Sequence, residues 1–138
     1  DWQAMGVRLA TGGDLPDHGP AKVLLPAGAK GAAVLIFANF RAIEAYNAAD
    51  AYVIGIGHLA DRLRGGAPFM ATWPRHLRAM PEAERIELQR LLTAAGFDTG
   101  GADGKIGPLT VAAVKAYQRA HDLVPDGYAS PDILDALR

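Results

Sequence analysis

The chain has 138 residues, of which 50% are hydrophobic and 21% charged, a composition typical of a globular protein rather than a disordered or fibrous one. Its 14 lysines and arginines nearly balance its 15 aspartates and glutamates, and the net charge of −1 argues against a nucleic-acid partner held by bulk electrostatics. The absence of cysteine excludes disulfide bonds, thiolate zinc ligands and cysteine catalysis. No apolar run is long enough to predict a transmembrane segment.

Two short apolar runs in the first third of the chain predict a small antiparallel β element. Residues 21–25 and 32–37 are partly β-branched and flank a Pro- and Gly-containing segment, residues 26–31. This pattern favours a hairpin with a longer loop over a tight two-residue turn.

Helical spacing follows the β element. A short helix is predicted to begin with Asn39 as its N-cap and to run to about Tyr46. A second helix is expected from about Asp50 to the glycines at 65 and 66, with one apolar stripe at positions i, i+4, i+7 and i+11. The residues of this stripe are Tyr52, Ile56, Leu59 and Leu63.

Residues 66–80 contain scattered prolines and predict a linker, after which three more helices are expected. The first helix opens near Pro81 and ends where Gly96 suits a left-handed cap. The second opens at Pro108 and runs to about residue 120. For the last, Ser130 is the predicted cap and Pro131 the first helical residue.

An internal repeat relates these C-terminal helices. Asp103-Gly104 recurs 23 residues later as Asp126-Gly127, and a Leu-Gln-Arg sequence around Gln89 is echoed by Tyr-Gln-Arg around Gln118. Three helices and two equivalent turns predict a compact bundle. The expected fold class is therefore α+β and α-rich, with a small antiparallel β element and helices followed by a three-helix bundle.

Residues 81–138 carry an ordered series of motif positions. These are Leu88-Gln89, Leu92, Gly96-Phe97, Asp103-Gly104, Ile106-Gly107-Pro108, Thr110, Ala113-Val114, Tyr117-Gln118, Leu123 and Asp126-Gly127. In this pattern the segment resembles the peptidoglycan-binding domain type 1 family along its whole length. The resemblance implies a module that holds peptidoglycan, chiefly its peptide stems. Most of the shared residues build turns and core, but Tyr117 and Gln118 are also candidates for ligand contact, because a polar-tipped aromatic ring and an amide can line a groove.

A second set of motifs lies in residues 1–65. These are Leu9-Ala10-Thr11-Gly12-Gly13, Asn39-Phe40-Arg41-Ala42-Ile43, Tyr46-Asn47, Tyr52 and Gly57-His58-Leu59-Ala60-Asp61-Arg62. Together they resemble the C-terminal end of the catalytic domain of lytic murein transglycosylase B-type enzymes, glycoside hydrolase family 103. In that family a Tyr-Asn pair and a following Tyr line the saccharide cleft, which implies substrate binding by Tyr46, Asn47 and Tyr52. Two structural alternatives stay open, since Tyr52 also belongs to the apolar stripe and Tyr46-Asn47 also suits a helix end. The family usually has Ser where Ala49 stands, so the helix cap is lost or moves to Asp50.

The catalytic glutamate of that family lies in a Glu-Ser-aromatic-Gly motif, which this sequence lacks. Glu44 is the one glutamate in residues 1–80, and its neighbours do not match the motif. We therefore predict no catalytic residue in this chain and no activity of the chain alone, although the parent protein is expected to be an enzyme. The four histidines show no ligand spacing, so neither a metal site nor a cofactor is predicted.

These patterns predict a transglycosylase segment at 1–65, a linker at 66–80 and a peptidoglycan-binding domain at 81–138. The expected partners are the glycan strands and peptide stems of peptidoglycan, and the expected location is the periplasm, with outer-membrane attachment through an upstream anchor left open. The chain starts without Met, so it is expected to be a fragment or a processed form. The alternative function is that of a non-catalytic peptidoglycan-binding scaffold protein.

Overall fold

The computed structural model describes residues 2–138, which contain a two-stranded sheet and five α-helices. The strands β1 (Lys22–Leu24) and β2 (Val34–Ile36) pair antiparallel, with Val23 opposite Leu35. The helices are α1 (Ala38–Glu44), α2 (Asp50–Leu63), α3 (Glu82–Ala94), α4 (Pro108–Ala120) and α5 (Pro131–Leu137). The predicted fold class, α-rich with a small antiparallel β element, is confirmed.

The chain forms two compact units. The first unit contains the residues up to Pro26 and Gly31–Thr72, and the second unit contains Ala27–Lys30 and Trp73–Arg138. The change of unit after residue 72 falls inside the stretch 66–80 that the sequence predicts as a linker. The assignment of Ala27–Lys30 to the second unit has no counterpart in the sequence analysis.

The two helices of the first unit start differently from their predicted starts. Helix α1 follows Phe37, so Asn39 lies in the first helical turn and is not the cap. Helix α2 follows Ala49 without a side-chain cap, so Asp50 is the first helical residue rather than the cap. The carboxylate of Asp50 still lies near the positive end of the helix dipole, where negative charge is favourable.

The apolar stripe of α2 faces outward. Val53 is the fully buried residue of this helix, whereas the predicted stripe is exposed to between about a third and four fifths. Spacing along a helix defines a common face but does not specify what covers that face. The exposed residues of the stripe are Tyr52, Ile56, Leu59 and Leu63.

The second unit has a continuous hydrophobic core between α3, α4 and α5. Its helix ends agree with the sequence: Ser130 Oγ accepts a hydrogen bond from the backbone N–H of Ile133 at 3.3 Å, and Gly96 has a φ of 91°. Phe97 packs against the core and meets the ring of Tyr117 edge-on, with 5.6 Å between the ring centroids. The buried core residues are Met80, Leu88, Leu92, Ala113, Val114, Tyr117, Ile133 and Leu134.

The internal repeat is present in three dimensions. Gly104 has a φ of 73° and lies against Glu82 and Ile86 of α3, so closely that a Cβ would meet Glu82 Cγ at 2.9 Å. Gly127 has a φ of 75° and lies equally close to two residues of α4, Val111 and Lys115. Each Asp-Gly turn thus packs on the helix that precedes it, and only glycine fits both the backbone angle and the space.

Candidate functional site

The structure brings Tyr46 and Tyr52 together in the first unit. Their rings stack with 6.1 Å between the centroids and an interplanar angle of 28°. Tyr46 is 84% exposed and Tyr52 is 36% exposed, so the pair presents aromatic surface to solvent. An exposed aromatic face of this kind can stack on the apolar face of a sugar ring.

Asn47 lies between the two tyrosines in the loop from α1 to α2. Its Oδ1 accepts a hydrogen bond from the backbone N–H of Ala49 at 3.0 Å, which forms an Asx turn just before α2 begins. The geometry therefore suits both interpretations of this segment, as a saccharide contact and as a turn at the helix end. Asn47 shapes the loop through Oδ1, and it is exposed, so its amide nitrogen can serve as a donor to a ligand.

A cavity of about 540 Å³ lies in the first unit beside this loop. Glu44 and Asp50, which flank Tyr46-Asn47 in sequence, both line it, together with His18 and Arg41. Glu44 is half-buried there, so it lines a cavity rather than standing on an open surface.

The two site residues predicted in the second unit are buried. Tyr117 belongs to the core and packs against Phe97 and His121. The amide of Gln118 accepts from the backbone N–H of Gly127 at 2.9 Å and donates to Asp126 Oδ1 at 2.7 Å. Tyr117 and Gln118 thus belong to the second unit, whereas Tyr46, Asn47 and Tyr52 belong to the first. Gln118 holds the Asp126 turn.

Gln89 holds the first Asp-Gly turn in the same way. Its Oε1 accepts from the backbone N–H of Gly104 at 2.8 Å, and its Nε2 donates to Asp103 Oδ1 at 3.2 Å. The same Nε2 also lies 3.0 Å from the carbonyl of Lys105 and 3.1 Å from Thr110 Oγ1. The echo between the Gln-Arg pairs in the sequence was the signal for this equivalence.

Hydrogen bonds keep both turn aspartates ionised. The backbone N–H of Lys105 and then the amide of Gln89 lower the pKa of Asp103. Burial acts to raise the pKa of Asp126, but the hydrogen bonds from Ala29, Tyr128 and Gln118 together outweigh it and lower that pKa. Both carboxylates are therefore strong acceptors at neutral pH.

A groove of about 340 Å³ lies over the Asp103 turn, and the sequence analysis did not identify it. Asp103, Lys105 and Leu109 line it, together with Gly100 and Gly101. We call this the Asp103 groove. It combines a carboxylate, an exposed lysine and an apolar side chain, which is a suitable set of contacts for a small peptide.

No metal-binding arrangement of three or more His, Asp or Glu side chains occurs among the described residues. Within residues 2–138, no helix combines the length and the apolar character needed to cross a membrane.

Comparison with known families identifies two segments. Residues 1–61 match the family described as Transglycosylase SLT domain, and residues 81–137 match the family described as Putative peptidoglycan binding domain. The chain therefore carries a transglycosylase SLT segment followed by a peptidoglycan-binding domain, and both resemblances noted in the sequence are confirmed.

Solved structures give a match over nearly the whole chain. SltB3 from Pseudomonas aeruginosa, in complexes with NAG-anhNAM-pentapeptide and with NAG-NAM-pentapeptide, is 45% identical, with a TM-score of 0.94. Each match covers 99% of this chain and 37% of the SltB3 chain. Among curated proteins, the Putative OxPP cycle protein OpcA of Synechocystis sp. is 40% identical over 57 residues, which are 41% of this chain and 12% of that protein.

Proposed function

We propose that this chain is the C-terminal part of a lytic transglycosylase that binds and remodels peptidoglycan in the periplasm. The observation that supports this most strongly is the 45% identity over 99% of the chain with SltB3, whose structures hold NAG-anhNAM-pentapeptide and NAG-NAM-pentapeptide. The chain covers 37% of SltB3, so the activity of the whole protein is part of the proposal.

Within the first unit, we assign saccharide contact to Tyr46, Asn47 and Tyr52. The stacked tyrosine rings offer an exposed aromatic face to a pyranose, and the adjacent amide can donate to a hydroxyl or N-acetyl oxygen. Tyr117 and Gln118 belong to the second unit of the same binding protein. Because both side chains are buried, we expect substitution of either one to lower the stability of the second unit as well as the affinity for peptidoglycan.

The proposed reaction of the whole protein is cleavage of the MurNAc-GlcNAc bond with an anhydro-muramyl product. Protonation of the glycosidic oxygen requires a carboxylic acid beside the substrate. Glu44 is the one glutamate in residues 1–80 and lacks the sequence context of the family acid. We therefore place the general acid outside these 138 residues and expect the chain alone to bind peptidoglycan without cleaving it.

Sedimentation with purified, protein-free sacculi tests the binding proposal. The whole chain is expected to pellet with sacculi, and Tyr46→Ala is expected to weaken this without loss of stability, because the side chain is 84% exposed. Leu63→Ala is the matched control, since Leu63 is 81% exposed in the same unit at the other end of α2. Equal pelleting of the two variants would remove Tyr46 from the saccharide site, and failure of the unaltered chain to pellet would contradict the proposed function.

Mass spectrometry of sacculi incubated with the chain tests whether the general acid lies outside these 138 residues. The chain alone is expected to release no anhydro-muropeptides. Their appearance, together with their loss in Glu44→Gln, would make Glu44 the acid, since it lines the cavity beside Tyr46-Asn47.

A further inference from the structure

The two Asp-Gly turns of the second unit differ in the hydrogen bonding of the aspartate's second oxygen, Oδ2. In both, Oδ1 of the aspartate accepts from the backbone N–H two residues later, at 2.9 Å, and from the glutamine of the preceding helix. Oδ2 of Asp126 also accepts from the backbone N–H of Ala29 at 2.7 Å. No other described residue donates a hydrogen bond to Oδ2 of Asp103; its donors Gln89 and Lys105 both bond Oδ1.

The partner of the Asp126 turn is a short peptide, Ala27–Lys30, which belongs to the same unit. Gly28 is buried and has a φ of 63°, and an added L-Cβ would lie 2.5 Å from Asp126 Oδ2 and 2.9 Å from Tyr128 Cβ. Lys30 Nζ reaches Asp132 Oδ2 at 3.2 Å. The Asp126 turn thus holds a positive-φ residue, followed by a peptide N–H that bonds the carboxylate.

The residues that hold this peptide correspond, through the internal repeat, to residues that line the Asp103 groove. A shift of 23 residues carries Asp126, Tyr128 and Asp132 onto Asp103, Lys105 and Leu109, and all three of the latter line the groove. Asp103 and Lys105 are exposed, whereas Asp126 and Tyr128 are half-buried. The repeat therefore contains one site that is filled by the chain itself and an equivalent groove that is open.

We propose that the Asp103 groove binds the peptide stem of peptidoglycan through a D-residue, whose following peptide N–H donates to Oδ2 of Asp103. This inference rests on the proposed function and names the feature of the substrate that the second unit recognises. Positive φ is costly for an L-residue, but it is the mirror image of the ordinary right-handed conformation and so the relaxed state of a D-residue. A D-residue also directs its Cβ away from the position where an L-Cβ at Gly28 would collide.

The residues that differ between the Asp103 groove and the filled Asp126 turn indicate which other chemical groups the ligand carries. Lys105 places an ammonium group where the other turn has Tyr128, and Leu109 places an apolar side chain where Asp132 binds Lys30. The open groove therefore favours a carboxylate and a small apolar side chain over a cation. A stem that ends in D-Ala-D-Ala carries both of these groups, and its penultimate D-residue is followed by a peptide N–H.

Titration of the ¹⁵N-labelled 138-residue chain with N-acetyl-L-Lys-D-Ala-D-Ala tests the proposal by NMR. The amide signals of Gly104, Lys105 and Thr110 are expected to shift with saturation. The all-L diastereomer has the same composition and charge, and it is expected to bind at least about tenfold more weakly. Equal affinity for the two peptides, or shifts confined to other residues, would overturn the proposal.

A matched pair of variants separates the groove from its filled equivalent. In Asp103→Asn, the donors Lys105 N–H and Gln89 Nε2 keep the amide oxygen in the Oδ1 position, so an NH₂ group replaces the acceptor Oδ2. Affinity for the D-peptide is expected to fall about tenfold or more, with the thermal unfolding curve confirming a folded unit. Asp126→Asn makes the same change in the other turn and is expected to leave the shifts of Gly104 and Lys105 intact.

Sacculi sedimentation distinguishes this inference from the proposed function. If the unaltered chain and Asp103→Asn pellet equally and also bind the D-peptide equally, the groove assignment is wrong while peptidoglycan binding stands. If the unaltered chain fails to pellet, the proposed function fails, and the D-peptide titration still decides whether the groove is selective for a D-residue. Lys105→Met completes the test, because it should weaken the free-acid peptide but not its C-terminal amide.

Discussion

The two units bury very different amounts of apolar side chain. In the second unit, eight hydrophobic residues from its three helices and the preceding segment are fully buried and form one cluster. Among the described residues of the first unit, Ala32 and Val53 are the fully buried hydrophobic ones, and the stripe on α2 is exposed. Burial of apolar surface is the main source of folding free energy, so the second unit has its own source of stability. The first unit needs further apolar surface against α2 to reach a comparable stability.

The buried polar residues show the same contrast. Gln89, Thr99, Thr110, Gln118 and Ser130 are buried in the second unit, and each has hydrogen-bond partners within it. A satisfied polar network of this kind specifies one arrangement of turns and helices. The polar residues proposed for the site of the first unit, in contrast, lie at its surface, where a ligand can reach them.

Separation of the two units should produce the largest effect. A polypeptide of residues 73–138 is expected to unfold cooperatively on heating, because its core lies within that range. Residues 1–72 alone are expected to melt without a cooperative transition. Far-UV circular dichroism and calorimetry check both outcomes, and a cooperative melt of residues 1–72 would contradict the comparison.

Paired leucine truncations in the whole chain test the same contrast at single residues. Leu88→Ala removes a side chain with 0% exposure from the core and is expected to lower the free energy of unfolding of the second unit by about 2–5 kcal/mol. Leu59→Ala removes one that is 55% exposed and is expected to change stability by about 0.5 kcal/mol or less. Urea denaturation measures both, and a large loss for Leu59→Ala would show that the α2 stripe is covered.

The amide residues proposed for binding should behave in opposite ways in the two units. Gln118→Ala leaves the buried N–H of Gly127 without its acceptor, so stability is expected to fall by about 1–3 kcal/mol. Asn47→Ala removes an exposed turn contact, so it should weaken sedimentation with sacculi while costing about 0.5 kcal/mol or less. Urea denaturation of both variants beside the pelleting assay makes the comparison. Loss of pelleting in a fully stable Gln118→Ala would instead assign Gln118 to direct ligand contact.

Local signals in the sequence predicted much of the second unit correctly. The Ser130 cap and the left-handed Gly96 depend on neighbours within a few residues, and the structure contains both. The Asp-Gly turns were recognisable because the motif recurs after 23 residues, and both have their glycine at positive φ. The link from Ala29 to Asp126 spans 97 residues and leaves no local pattern, so it could not be predicted.

In the first unit the same reasoning predicted the secondary structure but not which side chains of α2 are buried. The spacing from Tyr52 to Leu63 correctly predicted a helix, but it could not indicate that Val53 would be buried instead. The nature of Gln118 was ambiguous for a similar reason. An amide suits both a ligand groove and a buried turn, and only the placement of Gly127 beside it reveals the second role.

The smallest expected effect is the response of the second unit to acid. Its residues Asp103 and Asp126 have a pKa below the ordinary value of an aspartate, which is about 3.9. The unfolded chain therefore binds more protons than the folded chain in this range, and linkage requires stability to fall as pH falls. The contribution of these carboxylates is fully present well above pH 4, declines as pH passes the ordinary value, and is lost below the lower pKa of the folded state.

Thermal unfolding from pH 6 to pH 2.5 is expected to show this decline in the transition of the second unit. Asp126→Asn should flatten the decline, whereas Asp61→Asn, an exposed residue of the first unit, should leave it unchanged. An equally steep decline in both variants would show that other carboxylates govern the acid response. In that case an asparagine amide would hold the turn at position 126 as well as the carboxylate does.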